Sequence, residues 1–150
     1  MLELETFKTV VASTPLVSID LIIRNSQEQV LLGLRNNRPA QGYWFVPGGR
    51  IQKDERLEEA FRRLVEVELG AEAEFQKARF LGPYQHFYTD NFSGDSFSTH
   101  YVVLGYELWL DIDLNNLPTD QHQNYRWFSV DELLTSQQVH QHTKDYFLKV

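Results

Sequence analysis

One helix-length segment carries a carboxylate at a position where its periodicity calls for an apolar residue. The glycine pair Gly48-Gly49 predicts a turn, because glycine has no steric bar to positive φ, and Asp54 is the expected N-cap of the helix that follows. Helical spacing then gives one apolar stripe, made by Leu57, Ala60, Phe61, Leu64 and Val65. Glu68 comes four positions after Leu64 and falls inside that stripe. Burying a carboxylate is costly unless a metal ion or a cation such as Arg63 compensates it, so the segment predicts metal or ion-pair chemistry.

The spacing of this segment resembles the Nudix box, whose pattern is G-x5-E-x7-R-E-U-x-E-E-x-G-U, where U is a bulky aliphatic residue. The matching positions are Gly49, Glu55, Arg63, Val65, Glu68 and Gly70. Leu64 and Val67 replace two glutamates of the pattern, and Ala71 stands at its last aliphatic position. The match disfavours the alternative of an amphipathic helix with one acidic residue on its edge. The resemblance implies a diphosphate-bearing substrate, and the two replacements imply chemistry that differs from the usual reaction.

The composition is that of one small globular domain spanning residues 1–150. Hydrophobic residues make up 42% of the chain and charged residues 23%, which is ordinary for a globular protein. The net charge of −7 argues against a general nucleic-acid binder, which needs a basic face. The chain has no cysteine, so it has no disulfide framework and no thiolate metal site. Its start lacks the features of a signal peptide and no stretch approaches about 18 apolar residues, so we expect a cytoplasmic protein without membrane contact.

The elements that must position the segment are predicted from periodicity and turn signals. Helices are expected at 3–12 and 55–69, followed by C-terminal helical segments within 131–136 and 139–150. Strands are expected at 15–24, 30–35, 44–51, 77–88, 98–110 and 125–130, with a turn-rich loop at 36–43. The order β-β-β-α-β-β-β-α predicts an α/β (α+β) fold with a mixed sheet sandwiched between helices, which is also the architecture of the Nudix fold.

Segments outside the box resemble an atypical Nudix family, the GDP-mannose mannosyl hydrolases. These segments are STPLVSIDLI, NRPAQGYWFVPGGR, QHFYTDNFSG, STHYVVLGYE and DQHQNYRW, and the match covers most of the chain. The resemblance implies hydrolysis of GDP-mannose, and of GDP-glucose, to GDP and free sugar, with water attacking the anomeric carbon and inverting it. Two other hypotheses stay open. One is a conventional nucleotide-sugar pyrophosphohydrolase that attacks phosphorus and releases GMP and sugar 1-phosphate, and the other is a nucleotide-binding domain without catalysis.

The same resemblance implies a metal site and a general base. Mg²⁺, with Mn²⁺ as the alternative ion, would be held by the Gly48 carbonyl, the Glu68 carboxylate and the Gln121 amide oxygen, and oxygen donors suit a hard cation. His122 is implied as the general base, since a neutral imidazole can take a proton from the attacking water. A solvated loop histidine is the alternative for His122.

Three arginines are implied as catalytic residues at the leaving diphosphate and the metal: Arg35, Arg50 and Arg63. Guanidinium groups match phosphate geometry and stay charged. Arg63 has an alternative role in a buried ion pair that orients a carboxylate of the box. Because Leu64 occupies the position directly after Arg63, its expected partner is Glu68 or the substrate.

The remaining implied residues contact the substrate, and they are Leu2, Phe7, Asp20, Arg35, His86 and Tyr101. An outward-facing strand residue is the alternative for Asp20, and ordinary packing is the alternative for the His86 and Tyr101 side chains. An N-terminal helix with an apolar face needs cover, and the resemblance implies that a homodimer provides it. His100, His140 and His142 are expected to be structural or surface residues. The pair His140 and His142 could suggest a metal site, but alternate spacing in a predicted helix places the two rings on different faces.

Overall fold

The computed structural model describes residues 2–117 and 124–148, and within these ranges seven strands form one mixed sheet. The α-helices are α1 (Leu4–Ser13), α2 (Leu57–Leu69), α3 (Val130–Thr135) and α4 (Gln141–Lys144). The strands are β1 (Leu16–Arg24), β2 (Val30–Leu34), β3 (Trp44–Phe45), β4 (Gly48–Arg50), β5 (Arg79–Tyr88), β6 (Thr99–Trp109) and β7 (Tyr125–Phe128). Short 3₁₀ turns occupy Phe75–Lys77, Leu114–Asn116 and Asp145–Phe147. No helix in these ranges has the length and apolar character needed to cross a membrane.

The sheet is organised around β1, which runs parallel to β6. On its other edge β1 pairs antiparallel with β4, so that Asp20 lies opposite Gly48, and it meets β2 where Arg24 lies opposite Val30. Strand β5 pairs antiparallel with β6, while β3 and β7 pair antiparallel with β2. The predicted mixed sheet is therefore confirmed, although the single strand expected at 44–51 is divided into β3 and β4.

The two faces of the sheet bury separate hydrophobic cores. Helix α2 covers one face, where its apolar stripe packs against Ile19, Leu21 and Ile23 of β1. The other face packs Ile22 against residues of β2, α3 and the C-terminal segment, namely Val30, Leu32, Leu133 and Val139. Side chains alternate along a strand, so the residues of β1 that lie between Ile19, Leu21 and Ile23 face away from α2. Strand β1 thereby carries core residues toward α2, and its opposite face carries Asp20, a predicted site residue, as well as the core residue Ile22.

The loop that enters α2 is held by an ion pair rather than by the predicted cap. Asp54 has φ of 69°, in the left-handed region, and Arg56 occupies the N-cap position without a side-chain hydrogen bond, so the predicted Asp54 cap is wrong. Arg63 on α2 instead donates to Glu55 in the loop, at 2.7 Å and 3.0 Å, and to the Arg50 carbonyl oxygen at 2.9 Å. This fork ties the loop, β4 and the helix together.

The Gly48-Gly49 pair forms strand β4 rather than the predicted turn. Glycine is required there by close approach, because a Cβ atom on Gly48 would collide with the Ile19 carbonyl oxygen and one on Gly49 would lie 2.5 Å from Leu64 Cδ2. Positive φ is needed instead at Gly70, which ends α2 at φ of 61°. The glycines of the box therefore let β4 pass closely between β1 and α2.

The C-terminal segment contradicts the predicted separation of two histidine rings. Helix α4 begins only at Gln141, and His140 is its N-cap residue with extended backbone angles of φ −67° and ψ 146°. The His140 Nδ1 atom accepts a hydrogen bond from the His142 backbone N–H at 3.1 Å. His140 precedes the helix and His142 lies within it, so helical spacing does not separate them. Their rings lie on the same side, with centroids 4.5 Å apart.

Candidate functional site

A cavity of about 290 Å³ opens on the sheet face away from α2, with strands β1, β4, β5 and β6 and the loop after β2 around it. The predicted site residues that line it are Asp20, Arg35, Gly48, Arg50, His86 and Tyr101. A larger groove of about 830 Å³ lies at the end of α2, where its lining includes Arg62, Glu66 and Trp109 but none of the predicted site residues. The smaller cavity is therefore the candidate site.

Asp20 is a partly buried carboxylate with a hydroxyl partner. Tyr146, from the C-terminal segment, donates to Asp20 Oδ2 at 2.6 Å. Gly105 of β6 lies opposite Asp20, and a Cβ atom there would come within 2.8 Å of the Tyr146 ring, so the glycine makes room for this contact. Burial raises the pKa of Asp20 to about 6, while the Tyr146 hydrogen bond and the nearby Arg35 charge lower it. The alternative of an outward-facing strand residue is therefore wrong.

Three arginines line the cavity, and Arg38 is bound to Asp95 at 2.8 Å, which leaves Arg35 and Arg50 as the groups without an ion pair among the described residues. Arg35 Nη1 donates to the Pro39 carbonyl oxygen at 3.0 Å, and its Cζ atom lies 3.8 Å from the centroid of the Phe45 ring. Arg50 Cζ lies 4.5 Å from the centroid of the Phe7 ring. Among the described residues, no carboxylate comes within ion-pair distance of either guanidinium. Both groups are therefore oriented by aromatic rings and remain available to an anion.

The opposite wall carries ring side chains that are neutral near pH 7. His86 and Tyr101 face each other in register across β5 and β6, and both line the cavity. Burial lowers the pKa of His86 to about 3, with contributions from His142, Arg35 and His140. Burial also raises the pKa of Tyr101. A neutral imidazole and a protonated phenol can each donate and accept hydrogen bonds, which suits ligand hydroxyl groups.

Three side chains from the C-terminal segment surround this wall, and sequence reasoning did not select them. Tyr146 holds Asp20, while the His142 ring stacks on His86 with centroids 4.2 Å apart at 4° between planes. The His140 ring packs against Tyr88, which also lines the cavity. The sequence signal for the histidines was their pairing as His-x-His, but the helix start that aligns the rings could not be read from it.

The predicted metal ligands are only partly within the described residues. Glu68 is 6% exposed, and burial raises its pKa to about 7, against the lowering effect of a hydrogen bond from Tyr125. Gln121 and His122 lie outside the described residues. Within residues 2–117 and 124–148, no group of three or more His, Cys, Asp or Glu side chains could hold a metal ion. The buried Glu68 carboxylate and the Gly48 carbonyl are oxygen donors of the kind a hard cation prefers, and such an ion would need water and substrate oxygens as well.

Arg63 is engaged away from the cavity. Its guanidinium is bound to Glu55 rather than to Glu68, so Glu68, one of the two partners expected from the sequence, is wrong. The hydrogen bonds from Arg63 lower the pKa of Glu55, and the same contact raises the pKa of Arg63. This arrangement supports the alternative in which Arg63 orients the box, because its donors already bind Glu55 and the Arg50 carbonyl oxygen.

The apolar face of the N-terminal helix α1 is partly covered by other residues of the same chain. The Phe7 ring lies 4.9 Å from that of Phe92 and under the Arg50 guanidinium, and Val11 is buried. Leu2 and Leu4 remain 44% and 59% exposed. Phe7 therefore contacts Arg50 of the cavity wall within the same chain, whereas Leu2 is not among the residues that line the cavity, and the homodimer stays a prediction.

Comparisons with known proteins agree with this architecture. The family model described as NUDIX domain matches residues 14–149. The "Low-salt glycan biosynthesis protein Agl8" of Haloferax volcanii is 41% identical over 125 residues, which are 83% of this chain and 77% of that protein. Among solved structures, a MutT protein from Methanosarcina mazei Go1 gives a TM-score of 0.72 at 24% identity, covering 90% of this chain and 92% of that one. The NUDIX domain of Shewanella oneidensis NrtR, crystallised with ADP ribose, gives 0.67 at 19% identity, covering 98% and 96%.

Proposed function

Because the chain belongs to the Nudix hydrolase family, we propose that it is a Mg²⁺-dependent hydrolase that converts GDP-mannose, or GDP-glucose, to GDP and free sugar. The composition of the cavity carries this proposal. Arg35 and Arg50 offer positive charge for a diphosphate, and Asp20 and the neutral His86 stand beside them as partners for sugar hydroxyls. The name of the Haloferax relative, a glycan biosynthesis protein, agrees with a sugar-bearing substrate.

The box helix supports attack at carbon rather than at phosphorus. Leu64 replaces a glutamate of the Nudix pattern and is 3% exposed in the core beneath α2, while Val67 replaces another and is 41% exposed to solvent. Neither side chain has a group that binds a cation or takes a proton from water. The helix therefore offers fewer carboxylates for the hydrolysis of a phosphoanhydride than the full pattern provides.

In the proposed reaction, the water oxygen forms a bond to the anomeric carbon while the bond from that carbon to the β-phosphate oxygen breaks. The electron pair leaves with GDP, and the water proton passes to His122 as general base. Attack on the side opposite the leaving group inverts the anomeric centre. Asp20 and His86 hold the sugar hydroxyls, and the guanidinium groups of Arg35 and Arg50 stabilise the charge that develops on the diphosphate.

The proposed metal ligands are the Gly48 carbonyl, the Glu68 carboxylate and the Gln121 amide. A bound Mg²⁺ supplies neutralisation of the leaving diphosphate. The proposed role of Arg63 is to position the site, because it donates hydrogen bonds to Glu55 in the loop and to the Arg50 carbonyl oxygen. Tyr101 is proposed on the phosphate side. We further propose a cytoplasmic homodimer in which the N-terminal residues, Leu2 and Phe7, contribute to substrate binding.

Product analysis tests the proposal directly. GDP-mannose is incubated with the protein and Mg²⁺ in ¹⁸O-labelled water, and the products are identified by mass spectrometry. GDP with label in free mannose supports attack at carbon. GMP and mannose 1-phosphate, with label in phosphate, would refute the proposal and indicate a pyrophosphohydrolase. Binding without turnover would indicate a non-catalytic domain.

The base is tested by His122→Gln in the same assay. We expect turnover to fall by roughly 10²–10⁴-fold, with little change in the dissociation constant for GDP-mannose, because the base acts on water and not on the bound sugar nucleotide. His100→Gln is the control, since His100 stacks on Phe87 at 4.4 Å and does not line the cavity. Near-normal turnover in His122→Gln would remove His122 as the base.

A further inference from the structure

Three histidine rings form a continuous stack beside the cavity. The His86 and His142 rings are stacked and nearly parallel, with centroids 4.2 Å apart and 4° between planes, and the His140 ring follows with its centroid 4.5 Å from that of His142 and a tilt of 42°. The stack brings together β5 and the C-terminal segment, so its geometry exists only in the folded chain.

The stack continues to the arginine that faces the leaving group. The His140 ring stacks on Phe45 with centroids 4.7 Å apart and 20° between planes, and the Arg35 guanidinium also lies over the Phe45 ring, 3.8 Å from its centroid. Both ends of this chain of contacts, His86 and Arg35, line the cavity. The two histidines of the C-terminal segment lie between them, and neither is part of the cavity lining.

Hydrogen bonds fix the tautomer of each inner histidine. His142 Nε2 lies 3.3 Å from the Phe87 carbonyl oxygen, which can only accept, so this nitrogen carries the proton. His140 Nδ1 accepts from the His142 backbone N–H, so its proton is on Nε2. The His142 ring is thus anchored at one edge by the strand that carries His86, and its face is pressed on the His86 ring.

The His86 ring has an unused polar atom beside the cavity. His86 is 5% exposed, and no described residue forms a hydrogen bond with its Nε2 atom. Leaving a buried polar atom without a partner is costly, and a bound hydroxyl group would recover that cost. The neighbouring aromatic groups, Tyr146 and Tyr88, make ring contacts with this histidine cluster.

We propose that His142 is a positioning residue, whose stacked ring holds His86 with its free edge toward a hydroxyl group of the sugar. This inference rests on the proposed function for the identity of the ligand, because the cavity places His86 with Asp20 and away from the α2 face. The charges that face the stack also favour uncharged rings. Arg35 lies at one end, and it contributes with burial to lower pKa values for His86, His140 and His142, while Asp145 acts in the opposite direction on the last two.

The test compares His142→Ala, which removes the stacked ring, with His142→Phe, which keeps a flat ring. His100→Ala is the matched control, because it removes a histidine that stacks on Phe87, the neighbour of His86 in β5, but stands outside the cavity lining. Dissociation constants for GDP-mannose and for GDP are measured by calorimetry. The ring protons of His86 are followed by NMR and assigned with His86→Gln.

We expect His142→Ala to weaken GDP-mannose binding about tenfold, the equivalent of one hydrogen bond, and to change GDP binding by less than about twofold. His142→Phe and His100→Ala should both bind like the parent protein. The His86 ring protons should lose their ring-current shift in His142→Ala and keep it in His142→Phe. A conservative ring that restores binding excludes simple loss of folding as the explanation.

Equal weakening of GDP and GDP-mannose in His142→Ala would overturn the proposal, and so would unchanged GDP-mannose binding. If His142→Ala does not fold, His142→Phe decides alone, since failure to bind GDP-mannose in that folded variant contradicts a role for the ring. Failure of the proposed function looks different. GMP as a product would reject attack at carbon, yet selective weakening of the sugar nucleotide in His142→Ala would still support His142 as the residue that positions His86.

Discussion

The two faces of the central sheet use one strand for opposite purposes. On the α2 face, Ile19 of β1 packs against a core that includes Leu64 from the box helix. On the other face, Asp20 reaches Tyr146 and lies in a cavity with Arg35. The first face keeps the outline of the Nudix box and loses two of its carboxylates. The second collects ionisable side chains from strands that are distant in sequence.

This contrast distinguishes the scaffold of the Nudix box from the candidate site. The ion pair between Arg63 and Glu55 and the αL residue Gly70 hold the loop and helix in place and are not part of the cavity lining, whereas the glycines of β4 lie where scaffold and cavity meet. Glu68 is the buried acid that remains on the helix. The groups that could bind a sugar are supplied from the opposite face, where strand alternation and the C-terminal segment bring them together.

Restoring a glutamate at each of the two replaced positions of the box should have very different effects on the free energy of unfolding. We expect Leu64→Glu to lower the free energy of unfolding by about 4 kcal/mol or more, because it removes a packed side chain and buries a carboxylate. The matched variant Val67→Glu, at a solvent-exposed position of the same helix, should change it by less than about 0.5 kcal/mol. Urea denaturation measures both values. A tolerated Leu64→Glu would mean that this face is not a dry core.

Two arginines make similar contacts with aromatic rings, one inside the cavity and one outside it, so their substitution distinguishes an effect on the site from an effect on the scaffold. Arg35 lies 3.8 Å from the Phe45 centroid in the cavity, and Arg126 lies 3.7 Å from the Phe128 centroid outside it. We expect Arg35→Lys to reduce kcat for GDP-mannose by roughly 100-fold, since a lysine cannot form the planar fork, and Arg126→Lys to leave it near the parent value. Steady-state kinetics provides the measurement. Similar losses in both variants would place the effect in stability rather than in the site.

Glu68 should link the box helix to a metal ion. At a Mg²⁺ concentration ten times its dissociation constant, we expect the parent protein to gain about 1.4 kcal/mol of stability, and Glu68→Gln to gain much less. Glu68→Gln should also be the more stable protein without metal at pH 8, because burial raises the pKa of Glu68 to about 7 and so disfavours its charged form. Thermal unfolding with and without Mg²⁺ measures both effects. An equal metal response in the two proteins would exclude Glu68 as a ligand.

The buried, neutral His86 should make the stability of the folded protein decrease as the pH falls. The folded-state pKa of His86 is lowered to about 3 from 6.5, so between these values the unfolded chain binds a proton that the folded chain does not. The contribution of His86 to stability is therefore complete well above pH 6.5 and falls as the pH decreases toward 3. At pH 6 the loss from this residue is slightly under 1 kcal/mol, and His86→Gln should flatten the curve by that amount. Denaturation at pH 7.5, 6 and 5 measures it, and parallel curves for parent and variant would contradict the lowered pKa.

Periodicity and spacing determined most of the fold. The alternating pattern of β1, the apolar stripe of α2 and the turn residues between elements predicted a mixed sheet between helices, because burial of one face imposes those periods locally. The same local logic predicted the burial of Glu68, which follows from its position in the stripe. The family resemblance, carried by short motifs, was confirmed at the level of the Nudix family.

The tertiary structure alone decided which side chains meet. Tyr146 reaches Asp20 across 126 positions because Gly105 leaves space for its ring, and no periodicity encodes that contact. The His140 and His142 rings stack together because α4 begins between them, and helix ends depend on backbone angles that composition does not fix. Arg63 forms its ion pair with Glu55 rather than Glu68 because the loop folds back onto the helix. Sequence specifies the faces of each element through short-range periods, whereas contacts between elements depend on how those faces are packed in space.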